Sequence, residues 1–203
     1  MEEMNAQIED LFENLKKKKN NKAKNSKQKG SRGELQICKI LTNHFGEPFN
    51  RSPNSGAFGS THKMSAVATQ MMASDVLCPE SFKFSIESKA GYDIDLSNLF
   101  VFNKKKCGDM KKITGFVDQA CRDAARCEKV PMVIYLKDYR PSLAILPAHE
   151  YSGVDTFMKK LVLFNACLLF NHEPKNIKNW KRWVIVSFEE LLSLMSKDFF
   201  YAV

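Results

Sequence analysis

Residues 74–91 (SDVLCPESFKFSIESKAG) place three charged side chains in one short stretch, namely Asp75, Glu87 and Lys89. Charged groups within strands are costly unless they are paired or bind an ion. These three residues therefore either lie on a solvent-facing surface or build a site.

The three residue types fit the hydrolysis of a phosphodiester. Two carboxylates can hold Mg²⁺, which lowers the pKa of a bound water and neutralises phosphate oxygens. The backbone carbonyl of Ser88 is a further candidate ligand. A lysine such as Lys89 can orient the water or stabilise developing charge. Upstream, Glu34 is placed to hold a water or a second metal ion.

Each part of this pattern is weak when it is taken alone. Glu and Lys are common, and a Glu-x-Lys triplet on an edge strand is ordinarily a solvent-facing pair. Asp75 alone fits a turn residue, and Glu34 alone fits an acid near the start of a helix. The joint order is more specific, because it requires an acid opening a helix, then an Asp, then the triplet on one face of a strand.

Two predicted strands carry the acids. Residues 82–89 alternate, so that Phe82, Phe84 and Ile86 share one face and Glu87 and Lys89 lie on the other. Residues 74–78 fit a preceding strand. A hairpin between the two strands would bring Asp75 near Glu87.

A helix is predicted at residues 33–46. Ser31 fits its N-cap, Glu34 follows three residues later as in a capping box, and Gly46 fits its end. Leu41 and Phe45 continue the face of Glu34 at helical spacing.

The rest of the chain alternates between helical and strand patterns. These are a helix at 109–127, strands at 130–137 and 142–146, a helix at 155–171, and a strand at 183–188 that leads into a short helix. Trp183, at the start of that strand, is interpreted as a core residue. The order predicts a mixed α/β layer protein.

The net charge of +8 favours a polyanionic partner, nucleic acid above all. Residues 16–32 carry nine positive charges and no acid, and are interpreted as a flexible arm along a phosphate backbone or as a solvated linker. Residues 4–15 show an amphipathic helical pattern that must pack on the main domain or on a second subunit.

The remaining composition favours a cytoplasmic location, in a bacterial, archaeal or phage-infected cell. Six cysteines occur without a Cys-x-x-Cys pair, and we expect reduced thiols. No apolar run reaches the roughly 20 residues that span a membrane, so no membrane partner is expected. The four histidines lack zinc-ligand spacing.

The order of these residues resembles the PD-(D/E)XK nuclease superfamily, and within it the archaeal-type Holliday junction resolvases, which also occur in phages. The matching positions are KGSRGE at 29–34, Arg51, the Ser55-Gly56 pair, Asp75, ESK at 87–89, and Gln119 on the following helix. They span roughly residues 29–137.

The resemblance implies a role for each of these residues. Glu34, Asp75, Glu87 and the Ser88 carbonyl would bind Mg²⁺, with Mn²⁺ as a substitute, and Lys89 would be the catalytic lysine. Arg51 and Ser55 would contact DNA near the scissile phosphate. Lys29, Ser31 and Arg32 would lie by the DNA backbone, and Gln119 would support the site.

The resemblance also implies a restriction-endonuclease-like fold, in which helices flank a mixed central β-sheet. We expect a helix and basic arm at 1–28, a nuclease core at 29–150, and a C-terminal extension of the same domain at 151–203. The implied activity is paired nicking of a four-way DNA junction by a homodimer. Ser74 stands where the motif's Pro would be, and the stretch THKMSAVATQMM is long for a resolvase.

Two other interpretations remain open. The chain fits another nuclease on the same fold, which would nick, restrict or repair branched or linear DNA. It also fits a nucleic-acid-binding protein without catalysis, although all four chemical positions hold competent residues.

Overall fold

The first described element is a helix, α1, which spans residues 28–45 of a computed structural model. The structure describes residues 28–53, 74–100, 108–148, 163–174 and 181–201. Gly46 ends α1 with a φ of 71°, as predicted, because glycine adopts the left-handed conformation without a steric penalty.

The predicted start of this helix was wrong. Ser31 lies inside α1 rather than at its N-cap, and residues 28–32 are helical rather than part of a flexible arm. Four positions separate Gln28 from Arg32, so the extra residues add about one turn. The predictions for residues 4–15 and 16–27 lie outside the described residues.

The central sheet has five strands in the order β3-β4-β5-β7-β6. β3 and β4 are parallel, and the other neighbours are antiparallel. This mixed sheet with flanking helices confirms the predicted fold class. Its strands are β3 (Phe84–Ala90), β4 (Val130–Leu136), β5 (Leu143–Pro147), β6 (Cys167–Asn171) and β7 (Arg182–Ser187).

A separate two-stranded ribbon lies before β3. It consists of β1 (Asn50–Arg51) and β2 (Val76–Leu77), which pair antiparallel. The predicted hairpin is therefore wrong in its pairing, because the ladder partner of β2 is β1. The segment still reaches β3 through one backbone hydrogen bond, in which the amide of Asp75 donates to the carbonyl of Ile86 at 3.1 Å.

Two of the remaining described helices confirm the predicted periodicity, namely α2 (Gly108–Arg126) and α3 (Phe188–Leu194). The other two, a 3-10 helix (Leu96–Phe100) and α4 (Lys197–Phe200), were not predicted from the sequence. The Ser187 hydroxyl caps α3 by accepting from the amide of Glu190 at 3.2 Å. Because Ser187 ends β7, the chain passes from strand to helix without a loop.

Helices cover both faces of the sheet. On one face, Ile37 and Leu41 of α1 pack with Phe84 and Ile86 of β3. On the other, the apolar side of α2 packs with Val133 and Tyr135 of β4, Ile185 and Trp183 of β7, and Phe170 of β6. The predicted alternation of β3 is confirmed on its apolar side, and Trp183 is a fully buried core residue, as interpreted.

The predicted helix at 155–171 is wrong at its C-terminal end. Residues 167–171 form the edge strand β6, paired with β7, and residues 155–162 lie outside the described residues. The apolar run CLLFN fits either structure, and antiparallel pairing with β7 decides it. Only Phe170 of this strand is fully buried.

Two further expectations concern the chain as a whole. The five cysteines within the described residues are free thiols, as expected. No helix in the described part of the chain is both long enough and apolar enough to cross a membrane.

A close contact with Gly33 sets the distance between α1 and β3. A Cβ at Gly33 would lie 2.8 Å from the Cβ of Ala90 and 3.2 Å from a methyl group of Leu136. A Cβ at Gly30, on the same helix, would meet nothing within 4 Å. Of these two glycines of α1, only Gly33 is therefore required by the packing of the helix on the sheet.

We predict that Gly33→Ala destabilises the protein by about 1–3 kcal/mol, because α1 must move away from the sheet. The matched variant Gly30→Ala should be neutral or stabilising by up to about 1 kcal/mol, because alanine favours helix. Urea unfolding measures both changes. Equal effects of the two variants would contradict the close packing of α1 on β3.

Candidate active site

Asp75 is held against the free edge of β3. Its backbone amide donates to Ile86, and its Oδ2 accepts a 2.9 Å hydrogen bond from the amide of Ser88. The other edge of β3 is taken by β4. Two bonds to alternate residues thus fix both the backbone and the carboxylate of Asp75, which is 7% exposed.

Glu87 and Lys89 lie on the face of β3 opposite to Phe84 and Ile86, as the alternation predicted. This face is covered by α2. Glu87 is only 2% exposed and forms an ion pair with the Nζ of Lys89. The Nζ also donates to the Oε1 of Gln119 at 2.9 Å and lies 5.5 Å from the centre of the Phe116 ring. The charged residues therefore build a buried, paired site rather than a solvent-facing surface.

Glu34 and Arg51 approach from the α1 side. Glu34 lies on the buried face of α1, one turn before Ile37 and Cys38, and is 7% exposed. The Nε of Arg51, on β1, forms an ion pair with its Oε2. The pairing of β1 with β2, the strand that directly follows Asp75, thus also brings a cation to the acid of α1.

Burial dominates the electrostatics of the carboxylates. It raises the pKa of Asp75, against the opposing hydrogen bond from Ser88, and the charge of Glu34 raises it further. Burial, followed by the charge of Asp75, raises the pKa of Glu87 to about 8, although Lys89 opposes the shift. The pKa of Asp123, on α2, is raised by burial and partly by Asp75. Burial therefore favours the neutral form of these carboxyls, whereas a cation bound beside them would favour the charged form.

The donor atoms suit a hard divalent cation. Carboxylate and carbonyl oxygens are the ligands that Mg²⁺ prefers, and this ion keeps several waters. Both backbone groups of one residue point to the same side of a strand, so the Ser88 carbonyl faces the Asp75 side of β3, away from β4. No group of three or more His, Cys, Asp or Glu side chains that could hold a metal ion occurs among the described residues. The fitting set is Asp75, Glu87 and the Ser88 carbonyl.

The amino-acid sequence matches the family described as "Phage putative PDDEXK endonuclease", over residues 25–201. The chain belongs to this family. It is also 29% identical to Protein D14 of Escherichia phage T5 over 143 residues, which cover 68% of this chain and 80% of the relative. No solved structure gives a significant match. The family identifies the protein as a nuclease, and the matched span contains every site residue described above.

Three other residues predicted for the site of this PDDEXK endonuclease lie on α1. Lys29 is exposed, and its side chain passes over Gly91, where a Cβ would lie 3.2 Å from its Cδ. Arg32 is exposed on α1, and Ser31 is half-buried. Ser55, and the long stretch at 61–73, lie outside the described residues.

The structure adds two residues that the sequence reasoning missed. Phe116 lies beneath the Lys89 ammonium, and the Asp123 carboxyl is close enough to the acids to feel the charge of Asp75. Both lie on the face of α2 that carries Gln119, three residues before it and four residues after it. Helical spacing from Gln119 was a usable signal for both residues.

We predict that Mg²⁺ raises the melting temperature of the wild-type protein. A cation present at ten times its Kd adds about 1.4 kcal/mol, and this corresponds to roughly 3–5 °C in a chain of this size. Asp75→Asn should remove most of the shift, because it takes a charged donor from the set. Differential scanning fluorimetry with and without Mg²⁺ measures the shift.

The control is Asp138→Asn, which changes an exposed carboxylate in the turn after β4. It should keep the wild-type shift. The same Mg²⁺-dependent shift in the Asp75 and Asp138 variants would place the cation elsewhere.

Proposed function

We propose that the protein is a Mg²⁺-dependent DNA endonuclease that resolves four-way junctions. The observation that carries the proposal is the joint placement of two buried carboxylates, a lysine and a glutamine at one end of β3. Such a set is suited to the hydrolysis of a phosphodiester, because it combines metal ligands with a cation for the reacting oxygens.

Asp75, Glu87 and the Ser88 carbonyl would hold the cation. Bound there, Mg²⁺ would supply Lewis acidity and a water of lowered pKa. The chain's own contribution is to hold the donors rigidly, since Asp75 is fixed by two hydrogen bonds to β3. Rigid donors lose little reorganisation energy when charge develops in the transition state.

Lys89 would orient the attacking water and stabilise the charge on the phosphate oxygens. In the hydrolysis, a bond forms between the water oxygen and phosphorus, and the bond from phosphorus to the opposite ester oxygen breaks. The water gives up a proton to solvent, and the departing ester oxygen takes up a proton from solvent. Gln119 accepts from the Lys89 Nζ, and the ring of Phe116 lies below it. These contacts leave the ammonium few orientations, so Gln119 acts as a positioning residue.

Arg51 would bind the phosphate that enters the site. Its side chain is 34% exposed, whereas that of its partner Glu34 is 9% exposed. Glu34 therefore holds the guanidinium from the protein side and leaves part of it accessible. Arginine suits this task because its planar group can donate several hydrogen bonds to a phosphate.

The four-way junction and the homodimer rest on the sequence resemblance. A resolvase cuts two strands at symmetric positions, so it needs two active sites at a fixed separation. The run KGSRGE on α1, the basic arm before it and the net charge of +8 support a DNA substrate with an extended phosphate contact.

One feature favours a second candidate, a nuclease that nicks or repairs other branched or linear DNA. The stretch between the Ser55-Gly56 pair and Asp75 is longer than a resolvase is expected to have. An insertion that directly precedes a site residue in the chain is a place where substrate preference changes without a change of fold.

We predict that the wild-type protein with Mg²⁺ makes paired, symmetric nicks in a four-way junction, and that EDTA stops the reaction. Asp75→Asn should lower the rate by more than about 100-fold, because changes outside the metal's direct ligands already cost about 10- to 100-fold. Binding of the junction should persist. The assay uses end-labelled four-way junction, Y-fork, linear duplex and single strand in parallel.

The control here is Asp198→Asn, which changes an exposed carboxylate of α4 and should cut at the wild-type rate. Equal cutting of all four substrates would reject the resolvase and keep the nuclease. Full activity of the Asp75 variant would reject Asp75 as a metal ligand.

We predict that the seven lysines in residues 16–27 contact the DNA backbone. Deletion of residues 1–27 should then weaken binding and reduce the slope of log K against log salt by up to about 6, at ~0.9 per neutralised phosphate. Deletion of residues 1–15, which removes no lysine, is the matched control. Fluorescence anisotropy at several salt concentrations gives the slopes, and equal slopes for both deletions would contradict the contact.

A further inference from the structure

The turn between β4 and β5 exposes an aromatic ring in an unfavourable backbone conformation. Tyr139 is fully exposed, at 105%, and has a φ of 59°. The turn is closed by a 3.2 Å hydrogen bond from the amide of Arg140 to the carbonyl of Lys137. The third position of such a turn favours Gly or Asn when φ is positive, and a bulky residue there is an outlier.

The other non-glycine residue of positive φ in the described part of the chain has an ordinary structural role. Glu128, at 54°, follows the end of α2, where a left-handed residue commonly terminates a helix. Tyr139 ends no helix, and its ring is not buried against the protein. Strain of this kind persists at functional sites, where the exposed group acts on a ligand.

The turn lies at the same end of the sheet as Lys89. In the parallel pair β3–β4, Lys89 is opposite Tyr135, and Ala90 is opposite Leu136. Four residues reach at most about 14 Å, and neighbouring strands are about 5 Å apart. The Cα of Tyr139 is therefore within about 19 Å of that of Lys89, which is about five base pairs along a DNA strand.

A second exposed tyrosine lies beside the active site. Tyr92 follows β3 by two residues, is 43% exposed, and packs edge-on against Phe116 with 4.8 Å between ring centres. Phe116 is the ring beneath Lys89. The hydroxyl of Tyr135 fixes the carbonyl of Tyr92 at 2.6 Å. Tyr92 is thus a rigid, partly exposed platform beside the catalytic lysine.

An ion pair ties the turn to the Tyr92 segment. The Nζ of Lys137 lies 2.7 Å from the Oδ1 of Asp93. The surface that carries Tyr92 and Tyr139 also presents Lys29, over Gly91, and Arg140. It is mixed in charge, because Asp138 and Asp93 accompany the cations, so aromatic stacking rather than electrostatic attraction is its distinguishing property.

We propose that Tyr139, with Tyr92, stacks on unpaired nucleobases within about five nucleotides of the cleavage site. This inference rests on the proposed nuclease function and specifies its substrate class as DNA with an unpaired or splayed segment next to the cut. Stacking needs a base whose face is free, which an intact duplex does not offer. Each stacked base contributes enough for about a tenfold change in affinity.

Two variants separate the ring from the backbone. Tyr139→Asn removes the ring and suits the left-handed conformation, so we expect an equal or higher melting temperature and about tenfold weaker binding of a Y-fork. Binding of linear duplex should not change. Tyr139→Phe keeps the ring and should bind both DNAs as the wild type does. Binding is measured by fluorescence anisotropy without Mg²⁺.

A direct readout uses 2-aminopurine placed in the unpaired arm of the Y-fork, at each of the five positions nearest the cut. Stacking on Tyr139 should quench its fluorescence with the wild type and with Tyr139→Phe, but not with Tyr139→Asn.

Three outcomes would overturn the inference. These are unchanged Y-fork binding by Tyr139→Asn, an equal loss for Y-fork and duplex, and a lower melting temperature, since the last would mean that the ring supports the fold. Failure of the proposed nuclease function looks different, because the wild-type protein with Mg²⁺ would then cut none of the DNA substrates. If the wild-type protein cuts the Y-fork and Tyr139→Asn binds it with wild-type affinity, the stacking role of Tyr139 is rejected and the nuclease function is kept.

Discussion

The site depends on keeping two carboxylates side by side and out of water. Asp75 and Glu87 repel one another, and burial removes the solvent that would screen them. The fold compensates with the Ser88 amide on Asp75 and the Lys89 ammonium on Glu87. Both compensating groups lie on β3. The strand that brings the acids together therefore also supplies the hydrogen bond and the positive charge that stabilise them.

This constraint accounts for the layers around β3. The strand is parallel to β4 on one edge and leaves the other edge for Asp75, while α1 and α2 cover its faces. α1 approaches β3 closely at Gly33, and this places Glu34 near Asp75. α2 places Gln119 within hydrogen-bond distance of Lys89. Neither helix is only a cover for apolar surface, since each adds a polar side chain at the same end of the sheet.

The sequence predicted the elements whose hydrophobic periodicity extends over many consecutive residues. β3, β4, β7 and α2 show clear periodicity, and the order of Glu34, Asp75, Glu87 and Lys89 indicated the site. Features that depend on distant partners were missed. β2 pairs with β1 rather than β3, and the CLLFN run becomes a strand through β7. The capping-box pattern at Ser31 was misleading, because α1 already continues through it.

Charge balance explains why the proposed reaction would need a cation between the site and a phosphodiester. Counted as ionised, the site's carboxylates outweigh its cations by one negative charge, whereas the whole chain carries +8. The carboxylates are Glu34, Asp75, Glu87 and Asp123, and the cations are Arg51, Lys89 and Arg126. The positive surface attracts a polyanion over a distance, but a phosphodiester that reaches the site meets like charge at short range. A divalent cation reverses the sign of the site to a net +1. Long-range attraction of a polyanion by the surface and binding of a phosphodiester at the site are therefore separate requirements. Only binding at the site depends on the Asp75–Glu87 pair.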